Sequence, residues 1–245
     1  MPEDAVVLAA PSDTAEQPDG PVLKQISFYL DFVSPYAYLA FEQLPLQLQG
    51  LSYSVHYVPM LFAALLKHHG QLGPAEIAPK RAWTYRQVLW QAHGLGVALQ
   101  LPARHPFNPL PLLRLALGCS AEARPGTISR YVAESIFRHV WVGGLEADDP
   151  ARLQQLASTL APQRDPAGTA VKEQLKLNTD QAIARELFGV PAFVVDDRVF
   201  WGLDALPMLR DYLQGGDWSG GEDWNAANRV GAGVVRKRRD PQADS

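Results

Sequence analysis

The run KQISFYLDFVSPYAYLAFEQL, residues 24–44, constrains the fold more than any other part of the chain. Its first ten residues are apolar, aromatic and β-branched, which predicts a strand over 24–33. Ser34-Pro35 then sets a capping hydroxyl directly before a proline at the first helical position, a strong helix start. Apolar residues at helical spacing follow, and a second strand is predicted over 51–61, ending at Pro59. Strands this short are not stable as a pair. The β-α-β piece must therefore complete its sheet elsewhere in the chain.

The complement lies near the other end, in NTDQAIARELFGVPAFVVDDRVFWGLDALPMLRDYLQGG, residues 178–216. This stretch predicts a helix, a Gly-Val-Pro break, a short strand, an Asp196-Asp197 turn, a second strand and a last helix from about Asp204. Between the two pieces the apolar period is near 3.6, interrupted by Gly and Pro. The expected fold class is α/β, with the pieces at 24–61 and 176–215 sharing one sheet. A helical insertion over 62–175 lies across it. Residues 1–23 read as a disordered leader and 216–245, polar and Gly-rich, as a disordered tail.

Composition narrows the function classes. With 245 residues, 47% of them hydrophobic, a sizeable core is within reach. The net charge of -4 gives no electrostatic footprint for nucleic acid. The run Arg236-Lys237-Arg238-Arg239 reads as a solvated end. No apolar run approaches the roughly 18 residues of a membrane span, and acids stand where a signal peptide needs basic residues. The single cysteine, Cys119, cannot form an internal disulfide. These features predict a soluble cytoplasmic protein.

Three local features carry possible chemistry. Ser34 sits where a strand ends and a helix begins, so free N–H groups and the helix dipole favour an anion beside it. It is either a plain cap or a hydrogen-bond donor to an anion brought from outside. Gly189-Val190-Pro191 opens a strand at a position suited to a cis bond, with Val190 available to an extended ligand. Asp204 either caps the last helix or binds an ammonium group.

Taken in order, YLDFVSPYAYLAFEQL, VPMLFAALLKHHGQLGPAEIAPKRA, FNPLPLLRLAL and ELFGVPAFVVDDRVFWGLDALPML resemble the 2-hydroxychromene-2-carboxylate isomerases. Those belong with kappa-class glutathione transferases and the disulfide oxidoreductase DsbA. The resemblance covers residues 26–215 and implies a thioredoxin-like fold with a large helical insertion, glutathione as cofactor and a homodimer. It implies a catalytic Ser34 whose hydroxyl holds the glutathione thiolate. Glutathione contacts carry over to Tyr36, Gln71, Val190, Pro191, Trp201, Gly202, Leu203 and Asp204. Substrate contacts carry over to Lys67, Asn108 and Pro109, with Lys80 and Arg81 as further candidates for the carboxylate of a small aromatic oxo-acid.

This sequence departs from the family where Ala205 replaces a common arginine and Gln71 an asparagine. Trp83, Tyr85 and Trp90 either wall an aromatic pocket or belong to a core face. The implied reaction interconverts 2-hydroxychromene-2-carboxylate and trans-o-hydroxybenzylidenepyruvate, in aromatic hydrocarbon degradation. The alternatives are a kappa-type transferase or an isomerase of another electrophile and, more distantly, a non-catalytic binding module. A disulfide oxidoreductase needs a thiol at the helix start, where Ser34 and Ala37 stand instead.

Overall fold

The computed structural model describes residues 23–231 and 233. The elements run β1 (Lys24–Leu30), α1 (Pro35–Gln47), β2 (Tyr53–Pro59), α2 (Phe62–His69), α3 (Ala78–Leu95), α4 (Leu110–Gly118), α5 (Arg130–Trp141), α6 (Pro150–Leu160), α7 (Thr169–Ala184), β3 (Ala192–Val195), β4 (Arg198–Trp201), α8 (Leu206–Leu213) and α9 (Glu222–Ala226). One sheet, in the order β2-β1-β3-β4, joins both ends of the chain. β1 runs parallel to β2 and antiparallel to β3, with Phe28 opposite Phe193. This is a thioredoxin-like α/β fold carrying a large helical insertion.

β1 stops three residues short of the strand read from sequence. The cause is Asp31, whose side chain takes the N–H of Val33 while its carbonyl takes the N–H of Ser34. The chain turns there before α1 begins. At the β3–β4 hairpin, Asp196 and Asp197 both have positive φ, 47° and 62°. A two-residue hairpin demands this conformation, and aspartate tolerates it better than most residues. Tyr212 donates to Asp196 at 2.8 Å and Lys24 pairs with the same carboxylate.

The insertion shares the core of the sheet. Phe28 stacks on Phe193 at 4.6 Å, and Phe32 meets Phe137 of α5 edge-on at 5.0 Å. Trp141, fully buried, donates its indole N–H to Phe32 O at 3.0 Å. α7 crosses the expected boundary at 175/176 without a break and fastens the insertion to the end of β2. Its buried Asn178 donates to Pro59 O and Gly126 O, both at 2.8 Å, and Thr179 accepts from Leu61 N–H at 3.1 Å. A buried amide with its bonds met fixes one packing geometry.

The tail read as disordered from Gly216 begins as ordered chain. Short helical turns at Asp217–Gly220 and Ala227–Arg229 flank α9, while the leader through Val22 and the basic run at 236–239 lie outside the described residues. Composition suggests disorder there, but Trp224 packs on Phe200 at 6.0 Å, and the Arg198 guanidinium lies 5.1 Å from the Trp224 ring. Arg198 also donates to Ser219 O. Truncation after Gly215 is expected to cost about 1–2 kcal/mol, a Tm drop of a few degrees by calorimetry, since it removes an aromatic pair and a cation–π contact. An unchanged Tm would show that these turns add nothing to the core.

Candidate active site

The turn between β1 and α1 holds the site together. Ser34 is the N-cap of α1 and 6% exposed; its Oγ accepts from Ala37 N–H at 3.2 Å and donates to Val190 O at 3.4 Å. The hydroxyl of Ser34 thus caps α1 and also carries a donor proton. The cap bond uses an oxygen lone pair, and the proton rests on a carbonyl at the long limit of hydrogen bonding, so it is easily redirected to an incoming anion. No acidic residue occupies the first turn of α1, so its N-terminal field is uncompensated.

Val190 brings the C-terminal piece to this turn, and the Val190–Pro191 bond is cis. Pro191 O then accepts from Gly202 N–H at 2.9 Å, which draws Trp201, Gly202, Leu203 and Asp204 to the same end of the sheet. Gly202 has φ of +98°, and a Cβ there would lie 2.4 Å from Asp204 Oδ1. Only glycine fits. Gly189 is needed for another reason: a Cβ there would meet Trp201 Nε1 at 2.5 Å. Trp201 is half-exposed and stands against Phe188 at 4.8 Å.

Asp204 does not cap a helix. The N-cap of α8 is Ala205, without a side-chain cap bond, and the exposed Asp204 carboxylate makes no ion pair among the described residues. Burial pushes the Tyr36 phenol above its ordinary pKa, and the charge of Asp204 pushes it the same way. Tyr36 donates to Gln87 of α3 at 2.8 Å. Ala205 is buried and places no cation there.

The remaining sequence-derived positions are more scattered. Lys67 lies exposed near the end of α2, and exposed Gln71 follows Gly70, the left-handed cap of that helix. Asn108 turns its Oδ1 onto Leu110 N–H at 3.2 Å, and Pro109 leads into α4. Among the described residues no hydrogen bond joins Lys67, Gln71, Asn108 or Pro109 to Ser34. Lys80, Arg81, Trp83 and Trp90 are all exposed on α3; Trp83 and Trp90 are therefore not core residues.

Two residues at the turn escaped sequence reasoning. Asp31 is fully buried three residues before Ser34, and its carboxylate accepts from Val33 N–H at 3.1 Å and Phe62 N–H at 3.0 Å. Burial drives its pKa up to about 7 against the pull of these bonds. An aspartate inside an otherwise apolar strand was the available signal. His105 approaches from the loop before α4, its Nε2 2.7 Å from Val33 O. Burial lowers its pKa. Cys119 is remote from all of this at the end of α4, and burial raises its thiol pKa.

A strand-turn-helix site with Ser34 and Ala37 at the helix start, set against a cis-proline loop, defines a thioredoxin-type scaffold. The chain belongs to the DSBA-like thioredoxin domain family, whose model matches residues 25–214. Within that breadth it is similar to a 2-hydroxychromene-2-carboxylate isomerase of Sphingobium xenophagum, 29% identical over 201 residues, covering 78% of this chain and 98% of the relative. It is also similar to glutathione S-transferase kappa 2 of Caenorhabditis elegans, at 23% over 211 residues, covering 79% and 93%. A solved 2-hydroxychromene-2-carboxylate isomerase superposes with a TM-score of 0.67 at 23% identity, covering 84% of this chain and 100% of that one. Among the described residues no helix is long and apolar enough to cross a membrane.

Proposed function

We propose that the protein is a glutathione-dependent isomerase that interconverts 2-hydroxychromene-2-carboxylate and trans-o-hydroxybenzylidenepyruvate. One observation carries the reading: the turn keeps the anion-stabilising helix start but has Ser34 and Ala37 where a redox enzyme keeps thiols. A serine hydroxyl is too weak an acid to attack by itself. It can donate to a thiolate, as the α1 N-terminus does, and so lower the pKa of a bound thiol.

The residues present fit glutathione. Asp204, free of any cap bond, takes the γ-glutamyl ammonium; the Val190 backbone takes the cysteinyl peptide group; Ser34 takes the sulfur. Tyr36, Trp201, Gly202 and Leu203 line the same end of the sheet. When bound, glutathione supplies a thiolate that adds reversibly to a conjugated carbon, which frees the former double bond to rotate. Ala37 leaves no second thiol to trap it. Lys67 and Asn108 are assigned to the oxo-acid substrate.

The exposed Trp83 and Trp90, seven residues apart on one face of α3, suit a homodimer contact. Dependence on a free thiol fits a reducing, cytoplasmic setting.

Calorimetry with glutathione, followed by ultraviolet detection of chromene conversion, tests the reading. Micromolar to millimolar binding and glutathione-dependent conversion are expected. Absence of both would leave a binding module that has lost the chemistry. Similarity to kappa transferases favours a second reading, conjugation of another electrophile. Stable conjugate formed from an aryl halide, without chromene conversion, would select it.

A further inference from the structure

His105 makes contacts that the proposed reaction has not yet used. Its Nε2 lies 2.7 Å from Val33 O, and its Nδ1 lies 2.8 Å from the hydroxyl of Tyr85 on α3. Because a carbonyl can only accept, the proton must sit on Nε2 and Nδ1 carries the lone pair. The Tyr85 hydroxyl therefore donates to Nδ1, with His105 O as a second acceptor at 3.1 Å. Trp141 and Phe107 flank the imidazole at 5.4 Å and 5.9 Å, which holds the ring in place. One imidazole thus separates a half-buried phenol from the residue preceding Ser34.

We propose that Tyr85 and His105 form a proton relay that opens the hemiketal ring of the substrate, an assignment that rests on the isomerase reading. Tyr85 is the catalytic residue, since no hydrogen bond among the described residues occupies its oxygen lone pairs, and His105 acts through it. Tyr85 O takes the proton of the hemiketal hydroxyl as its own proton passes to His105 Nδ1. The bond from the hemiketal carbon to the ring oxygen breaks, leaving an oxo group and a phenolate. His105, now imidazolium, donates from both nitrogens, to Val33 O and to Tyr85 O. It then returns its proton through Tyr85 to the phenolate oxygen, and the cycle closes without net proton change.

The surroundings agree with this role. Burial lowers the His105 pKa, which favours the neutral imidazole that its two hydrogen bonds require. Arg81, one turn before Tyr85 on α3, opposes the burial that raises the phenol pKa. It forms no ion pair among the described residues, whereas Arg104, beside His105, is tied to Glu146 at 2.7 Å. The relay also favours a substrate that carries an acidic hydroxyl next to its enone, which sharpens the substrate class.

The test compares two compounds, 2-hydroxychromene-2-carboxylate and cis-benzylidenepyruvate, which has no ring hydroxyl and cannot close. Tyr85→Phe and His105→Gln should each lower the ratio of chromene to benzylidenepyruvate rates about 10²-fold, the usual size of a general acid–base contribution. Glutathione affinity by calorimetry should stay within about twofold. In Tyr85→Phe the His105 Nδ1 signal in ¹⁵N NMR should shift, as it loses its donor. An unmoved ratio in an otherwise active protein overturns the relay alone, as does an equal loss on both compounds. Inactivity of the unmodified protein toward both overturns the isomerase reading and the relay with it.

Discussion

Ser34→Ala is expected to lower glutathione-dependent turnover about 10²-fold, the loss seen when a single preorganised donor to a developing anion is removed. The bound thiol should titrate at least one unit higher, followed by thiolate absorbance, because each pKa unit corresponds to about 1.4 kcal/mol of lost interaction. Folding should weaken by only about 1 kcal/mol, since Ser34 Oγ also caps Ala37 N–H. The two effects separate by method: denaturation reports the cap, and thiol titration reports the donor. Ser34→Thr keeps the hydroxyl and should retain both. If Ser34→Ala leaves turnover and thiol pKa unmoved, Ser34 is a cap and nothing more, and the thiolate cradle must be sought elsewhere.

The second large effect concerns Asp31 and pH. Burial holds its folded pKa at about 7, above the ordinary 3.8. The folded state therefore binds this proton more tightly, and the stability it contributes is fully present below about pH 4. That contribution is lost as pH rises through 7, by on the order of 4 kcal/mol at most. Urea midpoints should accordingly fall between pH 5 and pH 8, and Asp31→Asn should flatten that slope. A slope that survives in Asp31→Asn would assign it to other groups. Asp31→Leu leaves the N–H groups of Val33 and Phe62 without their acceptor, at about 1–3 kcal/mol each. Those bonds tie the Ser34 turn to the start of α2, so the same variant should also weaken glutathione binding.

Much of this site was legible in the chain because its parts are local. A hydroxyl before a proline after an apolar run can hardly be anything but a strand-to-helix turn, and Ser34 caps α1 as its position requires. The Asp196-Asp197 hairpin and the helices of the insertion were equally readable from turn chemistry and period. The role of Asp31 was not legible because the predicted strand runs through it, while the bond that fixes its carboxylate reaches Phe62, thirty-one residues on. The tail was misread in part because Gly-rich composition says nothing about Trp224 meeting Phe200.

The sequence by itself determined the two α/β pieces, the helical insert, the missing thiols and the helix start at Ser34. Each follows from φ/ψ preference, hydrogen-bond capacity and apolar period, which act over a few residues. Only the tertiary structure decided which atoms face that turn. The Val190 carbonyl arrives from 156 residues away, and His105 from 72. The first meeting is set by the pairing of β1 with β3 and the second by how the insertion packs on the sheet, through Trp141 on Phe32, and no local preference encodes either.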